Sequence, residues 1–213
     1  MTAPEPAPRR RFAWVHAASD RVPTKWFAAA GTGVFLAATA AFGGLATAAE
    51  SPVPSAEADE QIAVDPFTVT VERAVLLDEF TDAGAYADPD EGERVLAVLV
   101  TVVNTWTRPL SAASQDALAG AVRVEGLDTA ASAAHYDDAT INPLLQPGVT
   151  TPIVLTWVID GGAFEEGDEI VVAVNTMSLY TGSFVTTGQW WTDPVPAARV
   201  TLSATDVGAG GDE

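Results

Sequence analysis

The 213-residue sequence contains no cysteine. Disulfides, thiolate metal ligands, cysteine nucleophiles and a lipid-modified lipobox cysteine are excluded together. The redox compartment stays open, because a β core of sufficient size holds without covalent staples. Histidine is nearly as scarce, occurring only at His16 and His135. No Gly-x-Ser-x-Gly elbow, Ser-x-x-Lys pair or His-Glu-x-x-His helix motif is present. The common hydrolase and metalloprotease arrangements therefore have no residues to build them. A zinc site would have to combine His135 with carboxylates, a donor set that zinc rarely takes. Lysine occurs once, at Lys25, beside nine arginines and abundant alanine, a usage that fits a GC-rich bacterial genome.

What the chain has in excess is negative charge, and it is unevenly placed. The net charge is −19. Residues 1–25 carry Arg9, Arg10, Arg11, Arg21 and Lys25 against Glu5 and Asp20, a net of +3. After Trp26 five arginines face 27 acidic residues, a net of −22. A body of that charge repels phosphates and carries no basic stripe, which argues against nucleic acid as a partner. A basic head and an acidic body joined by an apolar stretch form a topology signal.

The apolar stretch, Trp26 to Ala49, is 24 residues without a charge. As a helix it would extend about 36 Å, enough for a hydrocarbon core of about 30 Å. The sequence therefore predicts one N-terminal transmembrane helix over 26–49, with residues 1–25 cytoplasmic and the remainder outside the cell. Its richness in Ala, Gly and Thr makes it a marginal span. A cleaved signal peptide is the competing reading, since Ala46-Thr47-Ala48 has the small-x-small form of a cleavage site. The apolar region is longer than the usual 7–15 residues of such leaders, which favours an uncleaved anchor. Arg9-Arg10-Arg11-Phe12 resembles a twin-arginine start but lies too far from Trp26. Either reading exports the body.

Residues 50–66 contain three prolines and many acids, and read as an extended linker. From 67 to 205 the apolar residues recur with period two rather than 3.6. Phe67, Val69, Val71, Val75 and Leu77 alternate with polar residues. Arg94 to Asn104 is apolar on both faces, as a central strand should be. Further strands are predicted at 121–124, 152–160, 169–176, 183–187 and 197–205, with turn chemistry at Gln146-Pro147-Gly148, Asp160-Gly161-Gly162 and Glu166-Gly167-Asp168. About seven short strands at this spacing predict an all-β fold, a β-sandwich with two inner faces on one core. Residues 206–213 read as a disordered tail.

Two segments carry a family resemblance. Strand Val95–Asn104 runs into Trp106-Thr107-Arg108-Pro109-Leu110, and Leu145-Gln146-Pro147-Gly148-Val149 runs into a strand at Ile153. In order and spacing these resemble the telokin-like, immunoglobulin-like extracellular domain of unknown function found in exported Gram-positive bacterial proteins. The resemblance covers about residues 66–205. It implies an immunoglobulin-like sandwich outside the cytoplasm and brings no catalytic residues. The missing lipobox cysteine leaves the helix as the tether.

Candidate chemistry is sparse. His135 sits in Ala134-His135-Tyr136-Asp137-Asp138, read as a loop where a lone histidine is more often solvated than catalytic. Asp88, Asp90, Glu91 and Glu93 form one acidic loop, and Glu165, Glu166, Asp168 and Glu169 another. Neither follows the twelve-residue calcium pattern, so a soluble acidic turn is the plainer reading. Trp190 and Trp191 are adjacent, and neighbouring strand residues point to opposite faces, so at most one enters the core. Trp190, Trp191 and Trp106 are accordingly the candidate interaction residues. The expectation is a non-enzymatic binding or accessory module of the cell envelope, needing no cofactor or metal, whose partner is another envelope or membrane protein. A Ca²⁺- or ligand-sensing domain is the alternative, and an enzyme the third choice.

Overall fold

The computed structural model describes residues 24–41 and 52–208. The chain divides into two compact units, Met1–Ser51 and Pro52–Glu213. Of the first, helix α1 (Thr24–Ala41) is described, 18 residues rich in alanine, the best helix former. Val34, Phe35 and Leu36 are exposed on it. The predicted span 26–49 is thus helical over 26–41, and residues 42–49 lie outside the described residues. Among the described residues no helix is long and apolar enough to cross a membrane.

The second unit is built almost wholly of strands: β1 (Ser55–Ala56), β2 (Gln61–Val64), β3 (Phe67–Leu77), β4 (Glu93–Asn104), β5 (Leu110–Ser111), β6 (Val122–Val124), β7 (Ser132–His135), β8 (Leu144–Leu145), β9 (Thr150–Asp160), β10 (Glu169–Gly182) and β11 (Gly188–Gly208). One short helix, α2 (Leu118–Ala121), precedes β6. The strand order is β6-β10-β11-β3-β4-β9-β7, with β1 added to β11 and β2 to β3, while β5 and β8 pair separately. The long β11 joins two layers. It runs antiparallel to β10 as far as Ser203 and then parallel to β3 from Ala204 to Gly208.

The two layers share one core. Ile170, Val172, Val174, Val200 and Leu202 from the β10–β11 layer pack with Val69, Val71, Leu96, Val98, Ile153 and Leu155 from the β3–β4–β9 layer. This is a β-sandwich, and its inner faces follow the period of two in the sequence. Strand β4 explains why both of its faces are apolar. Leu96, Val98, Val100 and Val102 enter the main core, while Val95, Ala97 and Leu99 meet a second cluster with Leu77, Ala85 and Val154. The covering segment between β3 and β4 contains two 3₁₀ turns, Thr81–Ala83 and Pro89–Glu91.

Three of the predicted segments need correction. The tail expected at 206–213 starts too early, since Asp206 and Gly208 pair with Leu76 and Leu77 of β3 as the end of β11, and residues 209–213 lie outside the described residues. The linker expected at 50–66 contributes β1 and β2, which pair with β11 and β3, so much of it belongs to the sandwich. Residues 183–187 are no strand but the turn between β10 and β11, both of which run longer than the sequence suggested. Beyond β1 and β2, three further strands went unpredicted: β5 and β8 have only two residues each, and β7 is Ser-Ala-Ala-His, without strong β formers.

The far end of β11 is held by charge. Arg94 on β4 donates both terminal nitrogens to Asp206, Nη1 to Oδ2 at 2.9 Å and Nη2 to Oδ1 at 2.6 Å, and its Nε to Asp78 Oδ1 at 3.1 Å. The Asp206 carboxyl is lowered to about 2, chiefly by the Arg94 hydrogen bonds and then by the Gly208 N–H. A folded-state value below the ordinary 3.8 contributes stability that is present above that value and lost as pH falls toward about 2. Asp206→Asn should therefore lower the melting midpoint at neutral pH and flatten its fall on acidification. Melting curves of both proteins from pH 7 down to about 2 should converge at the acid end; parallel curves would assign acid sensitivity elsewhere.

Candidate functional site

Beyond Met177 the β10–β11 pair continues as a two-stranded arm. From Ile170 to Thr192 it carries no charged side chain, although the unit it belongs to is strongly acidic. Register is set by cross-strand pairs: Ser178 opposite Thr192, Leu179 opposite Trp191, Tyr180 opposite Trp190 and Thr181 opposite Gln189. Tyr180 and Trp190 stack with ring centroids 4.5 Å apart, as aromatic cross-strand pairs do. Two glycines shape the tip. Gly188 sits at φ +118°, and a Cβ on Gly182 would run into the Thr186 carbonyl. The turn they close presents Phe184 and Val185 to solvent, 94% and 91% exposed. Burying such side chains is normally favourable by about 1.5–3 kcal/mol each, so their exposure is the feature to explain.

The three candidate tryptophans divide as strand geometry requires. Trp191 is buried at the base of the arm and meets Trp106 edge-on, centroids 5.8 Å apart. Trp106 is half-buried, with the Arg108 guanidinium 5.2 Å above its ring. The Trp191 indole N–H finds no acceptor among the described residues. Trp190 faces the other way and is half-exposed. Trp191 and Trp106 thus anchor the arm to the body, and of the three Trp190 stands on its outer part. Phe184 and Val185 were missed because nothing local separates an exposed Phe-Val from a buried one. Gly182 and Gly188, framing five residues, were the available signal of a hairpin.

The remaining candidates make local contacts. His135 lies at the end of β7 rather than in a loop, half-buried, its Nδ1 3.8 Å from Asp138 Oδ1. In the first acidic loop Asp88 Oδ1 accepts from the Asp90 N–H, and Glu93 Oε2 accepts from the Asp88 N–H. In the second, Asp168 Oδ2 accepts from the Glu165 N–H. These carboxylates cap their own turns. Among the described residues no group of three or more His, Cys, Asp or Glu side chains is placed to hold a metal ion. A cleft of about 440 Å³ opens between the loop after β6 and the turn after β9, lined in part by Leu127, Thr129, Trp157 and Ile159 with Asp128 and Asp160.

The two segments carrying the family resemblance are neighbours in space. Asn104, fully buried, donates its side-chain amide to the Arg108 and Leu145 carbonyls at 2.8 and 2.9 Å and accepts from the Trp106 N–H at 2.9 Å. Its own carbonyl accepts from the Gly148 N–H at 2.8 Å, and β5 pairs with β8 beside it.

Fold and arm together define a β-sandwich bearing a projecting, uncharged hairpin. No family model matches the chain, and no curated protein matches it. Among solved structures it is similar to an uncharacterized β-sandwich protein from Clostridium difficile 630, at 9% identity and a TM-score of 0.41, covering 74% of this chain and 100% of that one.

Proposed function

We propose that the chain is a non-enzymatic binding or accessory module of the bacterial cell envelope, with an immunoglobulin-like sandwich held outside the membrane. The charge-free stretch 26–49 serves as its export and tethering segment. Supporting this topology are the basic residues before that stretch and the acidic excess after it. The immunoglobulin-like reading draws support from the way Asn104 ties the Trp106–Arg108 and Leu145–Gly148 segments together.

One observation carries the binding role: an uncharged arm that ends in two almost fully exposed apolar residues. Such a tip fits a contact made outside the chain. Tyr180 and Trp190 extend that surface behind it. The contact lies with a component of the envelope rather than with a small substrate.

Incorporating a photoreactive residue at Thr186 in intact native cells tests this reading. A discrete adduct with an envelope component is expected from that position and not from Glu166, in the turn after β9. Adducts confined to cytosolic proteins, or the same diffuse pattern at both positions, would overturn it.

A further inference from the structure

The contact surface is more specific than an apolar tip. Phe184 and Val185 lead, the hydroxyls of Thr181, Ser183, Thr186 and Thr187 flank them, and the Tyr180–Trp190 stack stands behind. Apolar side chains leading, with amphipathic aromatic rings behind them, match the passage from acyl chains to the headgroup interface where Trp and Tyr concentrate. A basic protein surface would be met by acidic side chains, and the arm offers none between Ile170 and Thr192. We propose that the arm docks on a lipid bilayer, with Phe184 and Val185 entering the acyl-chain boundary and Tyr180 and Trp190 at headgroup level. This assignment rests on the reading of the arm as the contact surface and names its partner. The sequence alone pointed to an envelope protein; the exposed chemistry of the arm favours lipid.

The acidic body sets the lipid preference. Asp193, the first carboxylate along β11 behind the arm, lies three residues from Trp190, up to about 10 Å of strand at roughly 3.3 Å per residue. That exceeds the Debye length of about 8 Å at physiological ionic strength. The arm reaches a surface while much of the carboxylate excess stays screened from it. Anionic lipid should therefore weaken docking at low salt, the opposite of the behaviour of a basic membrane-binding segment. A tether in the same bilayer would raise the effective concentration of this weak contact.

The absence of cysteine makes the test direct. Thr186→Cys gives a single site for an environment-sensitive nitrobenzoxadiazole label on the full-length protein, and Glu166→Cys is the control. On phosphatidylcholine vesicles the label at 186 should brighten severalfold and be quenched by spin labels on the acyl chains. The label at 166 should not change. Adding anionic phosphatidylglycerol should reduce the signal at low salt and less so at high salt. Phe184→Ser in the same background should lower the vesicle partition constant about tenfold, the equivalent of about 1.4 kcal/mol. An unchanged melting midpoint would certify that this variant is folded. A label at 186 that reports water on both vesicle types overturns the lipid assignment. If the cellular crosslink at 186 is nonetheless discrete and to a protein, the contact role survives with a protein partner. If neither result appears, both readings fall.

Discussion

Asn104→Ala should lower the stability of the sandwich by about 3 kcal/mol, because truncation strands a buried acceptor and weakens two partly exposed groups. The Leu145 carbonyl is the buried one, while the Arg108 carbonyl and the Trp106 N–H are partly open to water. The orientation of the amide is fixed by its partners: two carbonyls need the nitrogen and one N–H needs the oxygen. Asn104→Asp, almost identical in shape, should therefore be no milder, since it turns a carboxylate oxygen toward two carbonyls. At roughly 2–4 °C per kcal/mol for a unit of this size, the alanine variant should melt about 6–12 °C lower. Denaturant titration should show a shifted midpoint with an unchanged slope. A loss below about 1 kcal/mol would mean that water replaces the amide without penalty and that the tie is not a structural pin.

Trp157→Ala is expected to cost about 4 kcal/mol, within the range for removing a large aromatic side chain from a core. Trp157 is 3% exposed on β9, in register with Leu96 of β4, and its indole N–H donates to the Asp128 carbonyl at 2.9 Å. Two contributions are separable. Trp157→Phe keeps an aromatic ring but loses the hydrogen bond and part of the volume. It should recover more than half of the loss if packing dominates. An equal loss in both variants would make the Asp128 bond the principal contribution, and with it the shape of the loop lining the adjoining cleft. Equilibrium unfolding of the two variants beside the parent decides the matter.

Much of the architecture was legible because side chains on a strand alternate faces whatever lies opposite them. Phe67, Val69 and Val71 on β3, and Ile153, Leu155, Trp157 and Ile159 on β9, reach the main core as their spacing required, whereas the bulge between Val71 and Arg73 turns Val75 and Leu77 to the second cluster. The two apolar faces of β4 likewise announced a strand covered on both sides. Adjacent Trp190 and Trp191 had to diverge, and they do.

Other features depend on partners distant in the chain, and no local pattern encodes those. β1 and β2 sit in an acidic, proline-containing stretch and become strands through the edges that β11 and β3 offer. The passage of β11 from an antiparallel to a parallel neighbour is set by what lies beside Ser203 and Ala204, not by those residues. The Arg94–Asp206 pair joins groups 112 residues apart.

Alternation was sufficient to establish an all-β body with a buried period-two face, because strand geometry acts residue by residue. Which apolar residues would remain uncovered was settled only by folding. Phe184 and Val185 have the same chemistry as the side chains of the core, and their exposure arises because β10 and β11 continue past the sandwich as a two-stranded arm.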